Sequence, residues 1–127
     1  MLNAKKWGLI MKLSEIMEEL KAEVVVDAGN LDAEIRTACG SDMMSDVLAF
    51  AKDQSVFLTG LMNPQVVRTA EMMDMRCVIF VRGKTVDEMV QKLAKQMGIS
   101  IATTKCTMFT ACGLLYAKGI RGACERQ

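Results

Sequence analysis

Residues 77–103, CVIFVRGKTVDEMVQKLAKQMGISIAT, carry the pattern on which the fold turns. The opening Cys77-Val78-Ile79-Phe80-Val81 is an unbroken apolar run, as expected of a strand buried on both faces of a sheet. Thr85-Val86-Asp87-Glu88 then reads as a capping box, the Thr hydroxyl serving the N3 amide while the Glu carboxylate reaches back. Behind it, Val86, Met89, Val90, Leu93, Ala94 and Met97 recur at helical spacing, and Gly98 supplies a left-handed stop. Residues 99–103 read as a second strand. Strand, helix and strand in this order make a crossover between parallel neighbours.

The same rhythm extends outward. Residues 55–59 (SVFLT) read as a strand, and Asn63-Pro64 starts a helix with Asn as N-cap and Pro at the first helical position. Its core face would be Val66, Val67, Ala70 and Met73. Before it, Gly40-Ser41-Asp42 opens a helix carrying Met43, Met44, Val47, Leu48 and Phe50, with Asp42 as its cap and Asp46 complementing the helix dipole. After it, residues 107–118 form a last helix on Met108, Phe109, Cys112, Leu115 and Tyr116, stopped by Gly119. Towards the N-terminus, Leu13, Ile16, Met17 and Leu20 mark a short amphipathic helix, Val24-Val25-Val26 a brief strand, and residues 33–38 another. The expected fold is α/β: a mostly parallel sheet with helices on its faces, built from β-α repeats, in a single compact domain over residues 11–119. Residues 1–10 stand outside the pattern and read as an N-terminal extension, and residues 120–127 read as a C-terminal tail.

Composition narrows the chemistry. The 127 residues include no histidine, which removes Ser-His-Asp and Cys-His nucleophile pairs, phosphohistidine and imidazole metal ligation. Sixteen Lys+Arg against 15 Asp+Glu give a net charge of +1, with no footprint for nucleic acid or anionic membrane. The five cysteines, Cys39, Cys77, Cys106, Cys112 and Cys124, have irregular spacing and no CxxC, so neither a disulfide framework nor a zinc site is expected. With no signal sequence or membrane span in the pattern, the expected compartment is the reducing cytoplasm. Cys106, at a strand end and a helix start, is the best-placed nucleophile, but no histidine stands ready as its base.

Twelve methionines are the unusual count. Met17, Met43 or Met44, Met73, Met89, Met97 and Met108 fall on core stripes, where Met is ordinary filler. Met62, Met72 and Met75 fall off them, and that apolar surplus predicts a homodimer.

In a parallel sheet ligands bind beyond the carboxyl ends of the strands. The segments expected there present Thr59, Gly60 and Asn63, then Arg82, Gly83 and Lys84, then Thr104 and Lys105: cations, hydroxyls and amides suited to phosphate or carboxylate. Ser41, Asp42 and Ser45 join them as candidates, Asp42, Ser45 and Asp46 sharing one helix face. Two carboxylates are too few for a metal site, and no cofactor is expected. Gly83-Lys84-Thr85 imitates the end of a Walker A loop, but the upstream glycine position is Val78, inside a strand.

The run Gly40-Ser41-Asp42-Met43-Met44-Ser45-Asp46-Val47-Leu48, followed by Leu58-Thr59-Gly60 and Asn63-Pro64, resembles the DRTGG domain family. So do Val78 to Gly83, Gly98-Ile99, and Thr103-Thr104 before Met108-Phe109; the resemblance covers roughly residues 12 to 119. Gly29-Asn30-Leu31-Asp32 is similar to a turn in the related N-terminal, non-catalytic domain of HPr kinase. The resemblance implies a regulatory module rather than an enzyme. Such domains accompany paired CBS domains in some inorganic pyrophosphatases, a similar domain precedes the catalytic part of some phosphotransacetylases, and stand-alone members occur in anaerobic bacteria beside redox and hydrogenase components. The expected function is that of a bacterial sensor domain, homodimeric, binding a nucleotide or small phosphorylated metabolite at the strand ends. Its alternative is a structural interaction module, holding a protein partner in a redox or signalling assembly.

Overall fold

The computed structural model describes residues 10–122. Apart from Ile10, the expected N-terminal extension lies outside the described residues, as does the tail from residue 123, Cys124 included. In chain order the elements are β1 (Met11–Lys12), α1 (Leu13–Glu19), β2 (Glu23–Val26), β3 (Glu34–Ile35), β4 (Ala38–Gly40), α2 (Met44–Phe50), β5 (Val56–Thr59), α3 (Pro64–Met72), β6 (Cys77–Phe80), α4 (Glu88–Met97), β7 (Ser100–Thr103) and α5 (Met108–Ala117). A five-stranded sheet has the order β2-β7-β6-β5-β4. Strands β4 to β7 are mutually parallel, as the crossover pattern predicts. β2 is antiparallel to β7 along the edge, with Val25 bulged out between Val24 and Val26. The expected strand over residues 33–38 divides in two: β3 leaves the sheet to pair with β1, and β4 joins it.

Every residue of β5 and β6 is buried, because helices cover both faces. On one face Leu58, Ile79 and Ala102 meet Leu13 and Ile16 of α1 and Ala111 and Leu115 of α5. On the other, Phe57, Val78 and Phe80 meet Val66 and Val67 of α3 and Val90 and Ala94 of α4. No helix among the described residues is long and apolar enough to cross a membrane.

Several local expectations are corrected. Helix α4 begins at Glu88 with Asp87 as its N-cap, so no capping box forms at Thr85. Val86 is buried among the core side chains instead, and the chain reaches the helix only after it. Met89 then falls on the first turn and points outward, 65% exposed, while Met75, in the turn after α3, is buried. Helix α5 buries Ala111 and Leu115 rather than Phe109, Cys112 and Tyr116. That helix is apolar on all sides, and periodicity then selects no face. Past Gly119, Ile120 is buried and Arg121 bridges to Thr37.

Candidate functional site

Parallel pairing brings the carboxyl ends of β4, β5, β6 and β7 to one edge of the sheet. At the β4–β5 side, Asp42 leaves the helix it was expected to cap; the N-cap of α2 is Met43. The hydroxyl of Ser41 takes over at that turn, accepting from the Met43 amide at 3.0 Å. Asp42 Oδ1 instead accepts from the Gly60 amide at 2.7 Å and from the Thr59 hydroxyl at 3.0 Å. Chiefly through the Gly60 amide, its carboxyl is held below the ordinary carboxylate range; desolvation opposes this, while the Thr59 hydroxyl and the charges of Arg82 and Lys84 reinforce it.

Arg82 and Gly83 follow β6 in successive left-handed conformations, φ +68° and +66°. An arginine is strained in that region; a glycine is not. Two hydrogen bonds hold the turn: the Arg82 amide donates to the Cys106 carbonyl and the Gly83 amide to the Thr104 carbonyl, both at 2.8 Å. The loop after β6 is thereby tied to the loop after β7. The Arg82 side chain crosses the opposite way and packs its guanidinium on the backbone of Gly60.

Beyond the β7 end the two tied loops form one wall of a cavity of about 780 Å³. Gly83, Lys84 and Thr85 come from the first loop, and Thr104, Lys105 and Cys106 from the second. The turn between α1 and β2, with Leu20, Lys21 and Glu23, completes the lining together with Val25. It stands there because β2 runs antiparallel, which pairs Glu23 with Thr103. Thr104 ties the loop after β7 to this turn. Its hydroxyl donates to the Leu20 carbonyl at 2.6 Å and accepts from the Cys106 amide at 3.2 Å. Among the described residues, Lys21, Lys84 and Lys105 form no ion pair, whereas Glu19, also in the wall, is paired with Lys118 at 3.7 Å.

The candidate residues therefore fall into two groups. Asp42, Thr59, Gly60 and Arg82 form a linked cluster at the β5 end, and Gly83, Lys84, Thr104 and Lys105 belong to the cavity. Asn63 is occupied with its own helix, its Oδ1 accepting from the Val66 amide at 3.3 Å. Ser45 is exposed on α2 and no longer shares a helix face with Asp42. The cavity also draws in Lys21, Glu23 and Val25, which no loop motif marked. Only the two-residue link from Leu20 to β2, with Lys21 in a left-handed conformation, hints that this turn is tight enough to reach the edge. Among the described residues no three His, Cys, Asp or Glu side chains gather where they could hold a metal.

A family model described as DRTGG domain matches residues 15–117. No curated protein matches the chain in sequence. Among solved structures, the chain is similar to the CBS and DRTGG domains of the regulatory region of Clostridium perfringens pyrophosphatase, in a crystal structure with its activator, diadenosine tetraphosphate. The TM-score is 0.71 at 19% identity, over 86% of this chain and 47% of that one. The chain thus spans about half the length of that regulatory region.

Proposed function

The chain belongs to the DRTGG domain family, and from that premise we propose that it is a non-catalytic regulatory domain that senses a small phosphorylated ligand at the carboxyl edge of its sheet. The observation that carries the reading is the gathering of Lys21, Lys84 and Lys105, all without ion pairs among the described residues, around one cavity of about 780 Å³. Its volume falls in the range of about 300–1,000 Å³ usual for small-molecule sites. A backbone already braced by the Arg82–Cys106 and Gly83–Thr104 hydrogen bonds needs little reorganisation to receive a ligand. A cytoplasmic setting, where phosphorylated metabolites are plentiful, belongs to the same reading. That the similar pyrophosphatase regulatory region is complexed with an activator, diadenosine tetraphosphate, agrees with it.

The test is a thermal-denaturation screen against ATP, ADP, acetyl phosphate and inorganic phosphate. Ligand at a hundred times its dissociation constant adds about 2.7 kcal/mol to stability, a clear rise in midpoint. The Lys84→Ala/Lys105→Ala variant is expected to keep its own midpoint and lose the rise. No rise with any of these phosphates at millimolar concentration would sink the reading.

A second reading, an interaction module, is favoured by one observation. Phe109 and Tyr116, seven residues apart on α5 and so on one helix face, are 88% and 56% exposed. Sedimentation across a hundredfold concentration range tests it together with homodimerisation. A dimer that Phe109→Ser dissociates supports this face as its interface, and a monomer throughout removes the dimer.

A further inference from the structure

Among the described residues, four other than glycine hold left-handed backbone: Lys21, Gln54, Asp74 and Arg82. Gln54 and Asp74 precede β5 and β6 and satisfy each other. The Gln54 amide donates to the Asp74 carbonyl at 2.8 Å, and Gln54 Nε2 to the Asp74 carboxylate at 2.9 Å. Lys21 and Arg82 stand at the carboxyl edge, and neither charged end has a hydrogen bond or ion pair among the described residues. A long side chain is strained in that backbone where glycine is not, yet both turns carry a cation.

The Arg82 guanidinium occupies the space that a side chain at residue 60 would take. Asp42 does not claim it: Oδ1 is held by the Gly60 amide and the Thr59 hydroxyl, and no salt bridge to Arg82 closes. The guanidinium is thus placed over Gly60 with its donors unused. Lys84 connects this cluster with the cavity. It lines the cavity, and the Asp42 carboxyl, lowered chiefly by the Gly60 amide, feels the Lys84 charge as well as that of Arg82. The Lys84 amide also donates to no group among the described residues. Positive charge therefore runs along the edge from Lys21 and Lys105, through Lys84, to Arg82.

We propose that Arg82 is an anion-binding residue outside the cavity and that the ligand is a condensed phosphate, with one phosphoryl group among Lys21, Lys84 and Lys105 and a linked one on the Arg82 guanidinium beside Gly60. This rests on the reading that the cavity takes a phosphorylated ligand, and adds that the ligand carries at least two phosphoryl groups in a chain. The planar fork of a guanidinium matches two oxygens of one phosphoryl group. A lone phosphate in the cavity would leave that fork unengaged.

Calorimetric titration of the full chain with inorganic phosphate, pyrophosphate and tripolyphosphate tests the proposal. Any basic site ranks these by charge, so the decisive comparison is with Arg82→Gly. That variant removes the guanidinium and relieves the left-handed strain, which favours a folded protein. It should weaken tripolyphosphate roughly tenfold or more, as expected for losing a charge-assisted hydrogen bond. Inorganic phosphate should stay within about twofold at physiological ionic strength, where screening mutes distant charges. Arg82→Asn, whose residue type also tolerates this backbone, is the second variant, used if circular dichroism shows Arg82→Gly unfolded. Unchanged tripolyphosphate affinity, or an equal loss for phosphate and tripolyphosphate, would overturn the Arg82 subsite and leave the phosphorylated-ligand reading standing. Failure of all three probes to bind the unaltered protein would overturn both.

Discussion

The guanidinium of Arg82 rests directly on the backbone of Gly60: a β-carbon at residue 60 would lie 2.6 Å from Nη1 and 2.7 Å from Nη2. The contact joins the ends of β5 and β6 through a side chain rather than a sheet hydrogen bond. Because the obstructing atoms are the far end of a flexible side chain, Gly60→Ala should cost little, about 1 kcal/mol or less by urea denaturation. It should nonetheless push the guanidinium away. The Asp42 carboxyl, read by NMR titration, should then move back towards its ordinary range, since the Arg82 charge helps to lower it.

Asp42 itself sets an acid dependence. Its folded-state pKa is depressed, so its contribution is present above the unfolded value near 3.9 and is lost as pH falls through the lower, folded value. Solvent screening keeps that contribution small, because the side chain is exposed. Asp42→Ala removes the acceptor for Gly60 and Thr59 and should cost about 1 kcal/mol at pH 7. Asp42→Asn should flatten the part of the stability–pH curve below about pH 4 that this carboxylate creates. An unchanged acid limb in that variant would contradict the assignment.

The core makes a larger demand. Phe57 and Phe80 are fully buried on the same sheet face, against α3 and α4. Truncating either to Ala should cost about 3–5 kcal/mol, enough to unfold a domain of ordinary stability at elevated temperature. The measurement is the shift in urea midpoint, with Phe57→Leu as the milder control.

The thiols should divide by accessibility. Burial alone pushes the Cys77 thiol far up, and burial, with smaller contributions from Cys112 and Asp46, raises Cys39; burial also raises Cys112. Since the thiolate is the reactive form, native protein at pH 8 should leave Cys77 unalkylated until denaturant is added. Cys39 and Cys112 should react more slowly than a free thiol. Peptide mapping after iodoacetamide treatment reads all three, and rapid native labelling of Cys77 would contradict its placement in the core.

Much of the fold was legible because residues 55–103 carry strong and local signals: three strands, an Asn-Pro helix start and a glycine stop, each found in place. The misreadings arose where local pattern underdetermines geometry. Helix α5 offers apolar residues on every side, so only the sheet decides which are buried. Asp42 follows a glycine and a serine in the manner of a cap, yet the Gly60 amide, eighteen residues away, is the donor it meets. The candidate site was half legible for the same reason. Lys84 and Lys105 stand in loops that any parallel sheet would place at its carboxyl edge. Lys21 and Val25 arrive through an antiparallel pairing whose partner, β7, lies some eighty residues further along, and no short-range spacing announces such a pairing.

The bulge at Val25 has a consequence for how molecules of this protein meet. It breaks the even row of backbone donors and acceptors that β2 would otherwise present, and at the opposite border β4 is three residues long. Neither rim offers the long, flat ladder onto which a strand from another molecule could be recruited. A sheet so rich in valine, isoleucine and phenylalanine is thus guarded at both rims against ribbon-like growth by strand addition.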